Sequence, residues 1–496
     1  MSAERADRLY RFDPIDGSGI FLGLGAVQCL LLGGGLLLGV GAITAGLALP
    51  FAVVPVVLAV VVAFIRLRGY VAWEWLPLGL GWLLVLIRRR RSWFPRLPLL
   101  VAGADDGTTS MPPCLGGLEL IDLPWRGRIT IGAVHDHEAH TLTAAVRVTG
   151  PQFVVEPRAD QEQLLNGWGD LLNQFAVEGG VVTHLAWNDL ASPSGLEQHR
   201  AWLPHDDGTS PLRAEYDDLL ADASATAASH ETLLTITASQ DRLGRRRRSI
   251  SADPLDQLGR ALVSATEALL RGIQTAGLTA ADPLTGTEMQ RALRRRVDPL
   301  ASRPRTASTG RLVERLGLVS RATAGPAALD MSWRHLRTDG AFHRTYHVAC
   351  WPRLAVPPSW LEPFLSAGGV TRSMTVILTP VSAHQSRRQI ERDLVKLESD
   401  ADTKAQKGRR IDARHRRATQ SLLEREEELV AGYAEVGYAG LVTVSAADLD
   451  ELEEHAEIIE QLARESGMEL RCLDGRQDVG WAAVLPLGLA PKTLLA

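Results

Sequence analysis

The feature that most constrains this chain is a run of 49 residues, 17 through 65, without a single Asp, Glu, Lys or Arg. The core of a water-soluble protein does not present such a run, so a wholly soluble fold is excluded. Crossing a hydrocarbon layer of about 30 Å takes about 20 helical residues, which makes the run too long for one span and sufficient for two. The first span is expected from Ile20 to Val40. The second is expected from Leu47 to Ile65, with Pro50 and Pro55 in its first half, after an uncharged link around Ile43 to Gly46. A cleaved signal peptide, with an apolar region of about 7–15 residues, fits poorly. Arg5, Arg8 and Arg11 precede the run, and Arg66, Arg68, Arg88, Arg89, Arg90, Arg91 and Arg96 follow it. Both ends of the hairpin at 17–65 therefore favour the cytoplasm, as do the tail at 1–16 and everything beyond residue 66. The expected location is the plasma membrane, with two passes.

The next segment, 66–96, is apolar and aromatic, but only 13 residues separate Glu74 from Arg88 and Pro77 interrupts them. It reads as an interfacial helix, with Trp73, Trp75 and Trp82 at headgroup depth and Arg88–Arg91 facing anionic lipid. Gly19-x-x-x-Gly23 and Gly35-x-x-x-Gly39 let helices approach closely, either between copies or within the hairpin.

Residues 97–125 read as a Pro/Gly-rich linker. A first α+β module is expected over 126–298, beginning with a hairpin of Arg128–Val134 and Thr141–Val148. A link over 299–311 leads to a second module, 312–496. There the order is βαβ, two long charged helices over 383–432, then βαβ, which is the pattern of a ferredoxin-like (split βαβ) sheet carrying a helical arm. Ser445 and Asp448 read as a capping box, with Gly467 stopping the helix. The fold class is thus α+β, a transmembrane hairpin plus two cytoplasmic modules. In the arm, Ile390, Leu394 and Leu397 form one narrow apolar stripe, and the charged remainder suits a projecting partner-binding element.

Catalytic motifs are scarce. The sharpest cluster is His135-Asp136-His137-Glu138-Ala139-His140, whose residue types suit a metal but which sits at a hairpin tip without a second ligand-rich segment. It reads as a solvated turn, and no metal or cofactor is assigned. The four lysines, Lys396, Lys404, Lys407 and Lys492, none preceded by glycine, exclude a phosphate-binding loop. No Gly-x-Ser-x-Gly elbow is present. The arginine runs at 88–91, 245–248, 294–296 and 414–417 are far apart, and acids outnumber bases 58 to 53, so direct nucleic-acid contact is not expected. Four scattered cysteines without CxxC spacing suit a reducing compartment.

The two spans followed by Trp73-Glu-Trp-Leu-Pro77 and an arginine run resemble PrgI-type membrane proteins of type IV secretion and conjugation systems. Residues from about 126 to 490 resemble the non-catalytic amino-terminal half of conjugation ATPases, in Arg425–Leu429, Ser445–Leu452 and the segment Trp481–Gly488. The resemblance transfers no catalytic residue. It implies a non-enzymatic docking component that recruits an ATPase in trans and meets other membrane components of the apparatus and further copies of itself. An EccE-like component of type VII secretion is the alternative, and a metal hydrolase built on His135, His137 and His140 is the competing class.

Overall fold

The computed structural model describes residues 12, 26–46, 48–67, 70–88, 91–94, 111–151, 153–193, 211–243, 253–300, 325–406 and 413–491. The fold is mixed α/β: a large antiparallel sheet, helices on both of its faces, and an apolar helical hairpin near the N-terminus. The hairpin is α1 (Ala26–Thr44) and α2 (Leu49–Phe64), joined by a turn in which Gly46 takes φ +72°. A short helix, α3 (Trp75–Ile87), follows a small antiparallel pair, β1 (Arg66–Leu67) and β2 (Tyr70–Val71).

Among the described residues the main sheet has 13 strands. Its path runs β3 (Ser92–Trp93), β10 (Leu329–Met331), β11 (Leu336–Thr338), β12 (Ala341–Cys350), β14 (Glu435–Ala446) and β13 (Thr371–Val381). It continues through β7 (Val182–Pro193), β8 (Ala228–Ser239), β6 (Thr141–Thr149) and β5 (Ile129–Asp136) to the edge strand β4 (Leu118–Arg126). β15 (Glu469–Cys472) lies beside β12, and β9 (Thr279–Pro283) beside β6. Strands β7 and β13 pair directly, Trp187 opposite Val376, so the sheet runs unbroken from one half of the chain to the other. The link expected at 299–311 lies, from 301 onward, outside the described residues.

Alternation along the strands divides the core between two faces. On the first face, Ile131, Ala133, Leu142, Ala144, Leu234 and Ile236 meet α4 (Arg158–Asn173) and α6 (Pro254–Thr275). Further along that face, Tyr346, Val348, Val442 and Val444 meet α11 (Leu449–Glu465) and the single turn α8 (Glu362–Leu365). The second face is covered by two short helices, α7 (Gly286–Val297) and α12 (Gln477–Val484), which share one cluster containing Met289, Ala292, Trp481 and Leu485. The remaining helices are α5 (Pro211–Thr226), between β7 and β8, and the pair α9 (Ala383–Gln406) and α10 (Ala413–Val430), between β13 and β14.

Several sequence expectations shift. Residues 118–125, read as linker, belong to β4; an edge strand tolerates Pro124, and a bulge follows it. Strands β9, β10 and β11 and helix α12 were not foreseen, because each is too short for its periodicity to show. Ser445 does not cap α11. It lies in β14, and the N-cap is Asp448, whose carboxylate accepts from Glu451 N at 2.9 Å. Gly467, at φ +76°, does end that helix.

Under α12 the sheet is polar. Thr143 and Thr237 share a hydrogen bond of 2.9 Å, as do Thr345 and Thr443. Thr375 donates to the Val484 carbonyl (2.9 Å), His184 to the Gly488 carbonyl (3.0 Å), and Gln477 accepts from Thr345 N (2.8 Å). Buried polar groups must be paired, and the chain from Gln477 to Gly488 supplies the partners for strands of both halves. Gly488 has φ +71°, and a Cβ there would lie 2.5 Å from Thr237 Oγ1 and closer still to Thr143 Oγ1. Only glycine fits where the strap crosses the threonines.

Candidate functional site

The hairpin inverts the pattern of a soluble helix pair. Its inner seam is made of small residues: Gly35 lies against Pro55 and Ala59, Gly39 against Ala52 and Val56, and Ala52 and Ala63 are buried. A Cβ on Gly35 would come within 2.5 Å of Ala59 Cβ, and one on Gly39 within 2.7 Å of the Ala52 carbonyl oxygen. These two glycines therefore pack α1 on α2. Gly19 and Gly23 lie outside the described residues. A polar contact also crosses the seam, from Gln28 Nε2 to the Ala63 carbonyl at 2.9 Å. That carbonyl is in the last turn of α2, where no intrahelical donor remains.

The large side chains point outward. Leu30 is 75% exposed and Leu37 74%, and Leu36, Leu38, Phe51, Val54 and Leu58 are exposed with them. Among the described residues α1 is the one helix long and apolar enough to cross a membrane; α2, with 16 residues, is shorter.

Helix α3 continues this surface. Leu76, Leu80, Leu83 and Ile87, spaced at helical periodicity, are exposed, while Trp75, Leu78, Trp82 and Val85 form the half-buried opposite face. Trp75 stacks on Trp333 at a centroid distance of 6.2 Å, and Trp82 meets the same ring edge-on at 5.4 Å. Trp82 and Val85 also join the α7–α12 core cluster. Trp75 and Trp82, expected at headgroup depth, thus lie against Trp333 of the α/β body, and the leucine face is the exposed one. An amphipathic helix offers its aromatic residues to whichever apolar neighbour is in reach, and here Trp333 is in reach. Trp73 is half-buried in the helical turn before α3, where the Glu74 carboxylate accepts from Val71 N at 3.1 Å. Arg88 is exposed, Arg89 and Arg90 lie outside the described residues, and Arg91 donates to the Met331 carbonyl at 3.0 Å. Arg91 thus helps pin β3 to β10.

One residue ahead of the hairpin also touches the body. Phe12 stacks on Trp351 at 5.5 Å and meets Trp360 and Tyr438 edge-on at 5.2 and 5.7 Å. The chain is therefore held on the α/β body both before and after α1–α2.

The polar candidates separate. In the helical arm, Ile390 and Leu422 are buried and Leu394 and Leu397 half-buried, whereas Val395, Leu423, Val430 and Tyr433 are exposed among charged residues. The run Arg294–Arg296 is committed to ion pairs. Arg295 and Arg296 reach Glu231 at 2.6 and 2.8 Å, and Arg147 reaches it at 3.0 Å. Burial opposes ionisation of Glu231, but Arg296, Arg295 and Arg147 hold its carboxyl below the usual range. Arg245–Arg248 lie outside the described residues. In the histidine cluster, His135 and His137 come together with their ring centroids 4.1 Å apart. His140 does not join them: it occupies the hairpin turn at φ +52°. The third neighbour is Glu119 of β4, which sequence reasoning missed because strand register is not legible in a sequence. Burial, with His137 nearby, pushes the pKa of His135 down.

No protein-family model matches this chain, and no curated protein matches it either.

Proposed function

We propose that the chain is a non-catalytic, membrane-anchored docking component of a conjugative DNA-transfer or protein-secretion apparatus. The observation that carries the reading is the inverted hairpin: leucines, valines and phenylalanine outside, glycine and alanine inside, next to the exposed leucine face of α3. Exposed apolar surface of this extent is tolerated where lipid or protein covers it. Helix α1, with 19 residues, is about 28 Å long and α2, with 16, about 24 Å, close to the bilayer's apolar thickness of about 30 Å. Since Phe12 and Trp75 both contact the α/β body, the segment between them leaves the body and returns to it. That favours two crossings with both ends on one side, and arginine flanking favours the cytoplasm for that side.

The strand order supports a finer reading of the body as two ferredoxin-like units joined edge to edge. The orders β7–β8–β6–β9 and β13–β14–β12–β15 are the same, the second, third, first and fourth strands of each unit. Each unit carries an insertion between its second and third strands, α5 in one and the α9–α10 arm in the other. In this reading the arm, Arg387–Gly432, meets an ATPase supplied by another chain, and the anchor raises that motor's effective concentration at the membrane.

Membrane extraction, topology mapping and crosslinking test the proposal. Membranes bearing the full chain should retain it through alkaline carbonate extraction, and a cysteine placed at Ala45 should react with an impermeant thiol reagent from outside the cell. Release by carbonate, or a C-terminal reporter active only outside, would refute the anchor. A photocrosslinker at Leu423 should capture an ATPase encoded beside this chain; capture from α5 and not from the arm would reject the arm as the docking element.

A further inference from the structure

We propose that Glu119, His135 and His137 form a divalent-metal site of the zinc type at the free edge of the sheet. The three come together through register. Glu119 of β4 lies directly opposite His135 of β5, and His137 follows two residues on, just past the end of that strand. One ligand atom from each residue lies within 4.8 Å of the other two, and His137 Nε2 is 3.0 Å from Glu119 Oε2. A tetrahedral zinc ion with bonds of about 2.1 Å sets its ligand atoms about 3.4 Å apart, so small side-chain rotations complete the geometry.

A second, independent observation points to a ligand. His135 Nδ1 is buried and has no hydrogen-bond partner. A buried polar nitrogen without a partner costs free energy, and a cation bound at this nitrogen would remove that cost. The acids within the HDHEAH turn are not the ones recruited. Asp136 accepts from the backbone nitrogens of Glu138 and Ala139, both at 2.9 Å, which fixes the turn that presents His137. Backbone adds to the hold, since His137 N donates to the Gly117 carbonyl at 3.0 Å, at the start of β4. Two imidazoles and one carboxylate suit zinc better than magnesium or calcium, which prefer all-oxygen sets. Three protein ligands leave a fourth position for water on the exposed side. The ion would clip the outermost strand to its neighbour, a role distinct from the membrane anchor and the arm.

The test uses the untagged full chain in detergent, stripped with a chelator and titrated with Zn2+ by calorimetry. One equivalent should bind and raise the melting temperature. Glu119→Gln and His137→Gln, at side chains 58% and 52% exposed, should leave the circular-dichroism spectrum intact and weaken binding at least tenfold. Cobalt should show visible d–d absorption without thiolate charge transfer, which separates this site from the four cysteines. Stoichiometric uptake that survives both substitutions, thiolate charge transfer, or no uptake at all would each overturn the site.

Discussion

The hairpin and the sheet are opposite solutions to the same problem. In α1–α2 the apolar groups face outward and the seam is glycine and alanine; in the sheet the apolar groups face inward, and beneath α12 a layer of threonine, histidine and glutamine is buried as well. The difference lies in what drives association. Water drives the body's leucines together at roughly 25 cal/mol per Å². In the membrane setting proposed above, helices would gain nothing from hiding leucine and would pack through small residues at close range. The body can also bury its polar layer because Thr143 pairs with Thr237 and Thr345 with Thr443, while Thr375, His184 and Gln477 pair with backbone groups. Such layers fail as units, since a donor left unpaired costs about 1–3 kcal/mol.

The contrast is tested most severely where the strap crosses the threonines. Gly488→Ala introduces a Cβ between Thr143 and Thr237 at a backbone angle of φ +71°. It should destabilise the body by at least about 3 kcal/mol, combining backbone strain with overpacking. Chemical denaturation of the detergent-solubilised chain measures it, and a loss under about 1 kcal/mol would mean that the strap yields. Within the hairpin, Gly35→Leu should separate α1 from α2 and expose the seam to protease, while Gly34→Leu, with nothing within 4 Å of its Cβ, should leave it closed. Equal effects of the two would remove the small-residue seam as the reason for packing.

The polar layer also makes the body acid-sensitive. His343 and His184 are buried, and burial pushes both pKa values down to about 4. His343 is held between Thr338 (2.7 Å) and Ser445 (2.8 Å), so both ring nitrogens are occupied in the neutral form. Well above pH 6.5 each histidine is neutral in the folded and unfolded chain alike, and neither affects the pH dependence. Below that, the unfolded chain takes up protons that the folded one refuses, so stability falls as the pH drops toward 4. At pH 5 the loss should be about 2 kcal/mol per histidine. Denaturation midpoints at pH 7 and pH 5 measure it, with His343→Gln expected to remove its share; a flat profile contradicts the assignment.

What could be read from the sequence follows the same division. The helical hairpin was legible because the absence of charge over 17–65 needs no partner to be informative: α2 begins and ends within two residues of the expected second segment, while α1 runs to Thr44, beyond the expected Val40. The long helices α6 and α11 were legible from their periodicity. Non-local matters were not: that β7 would pair with β13, that Glu119 would stand opposite His135, or that Trp75 and Trp82 would find Trp333. Each of these joins segments far apart in sequence or depends on register, and composition carries neither. Ser445 shows the converse error: a local capping pattern was present, but β14 extends through Ala446 and uses Ser445 to bond His343, so tertiary pairing took precedence.

The smallest expected effect falls where the two regions meet. Phe12 touches three aromatic rings, and aromatic pairs contribute about 0.5–1.5 kcal/mol each beyond area burial. Much of that is offset by the entropy of holding a tail in place. Phe12→Ala should therefore leave global stability within about 1 kcal/mol of the parent while freeing the tail, and Phe12→Trp should retain the contact. The sensitive readouts are protease cleavage ahead of α1 and the fluorescence of Trp351 and Trp360, which lose a stacked and an edge-on neighbour. If cleavage and fluorescence are both unchanged by Phe12→Ala, the tail is not held by this contact. The case for both feet of the hairpin on one side of the membrane would then rest on the arginine flanks alone.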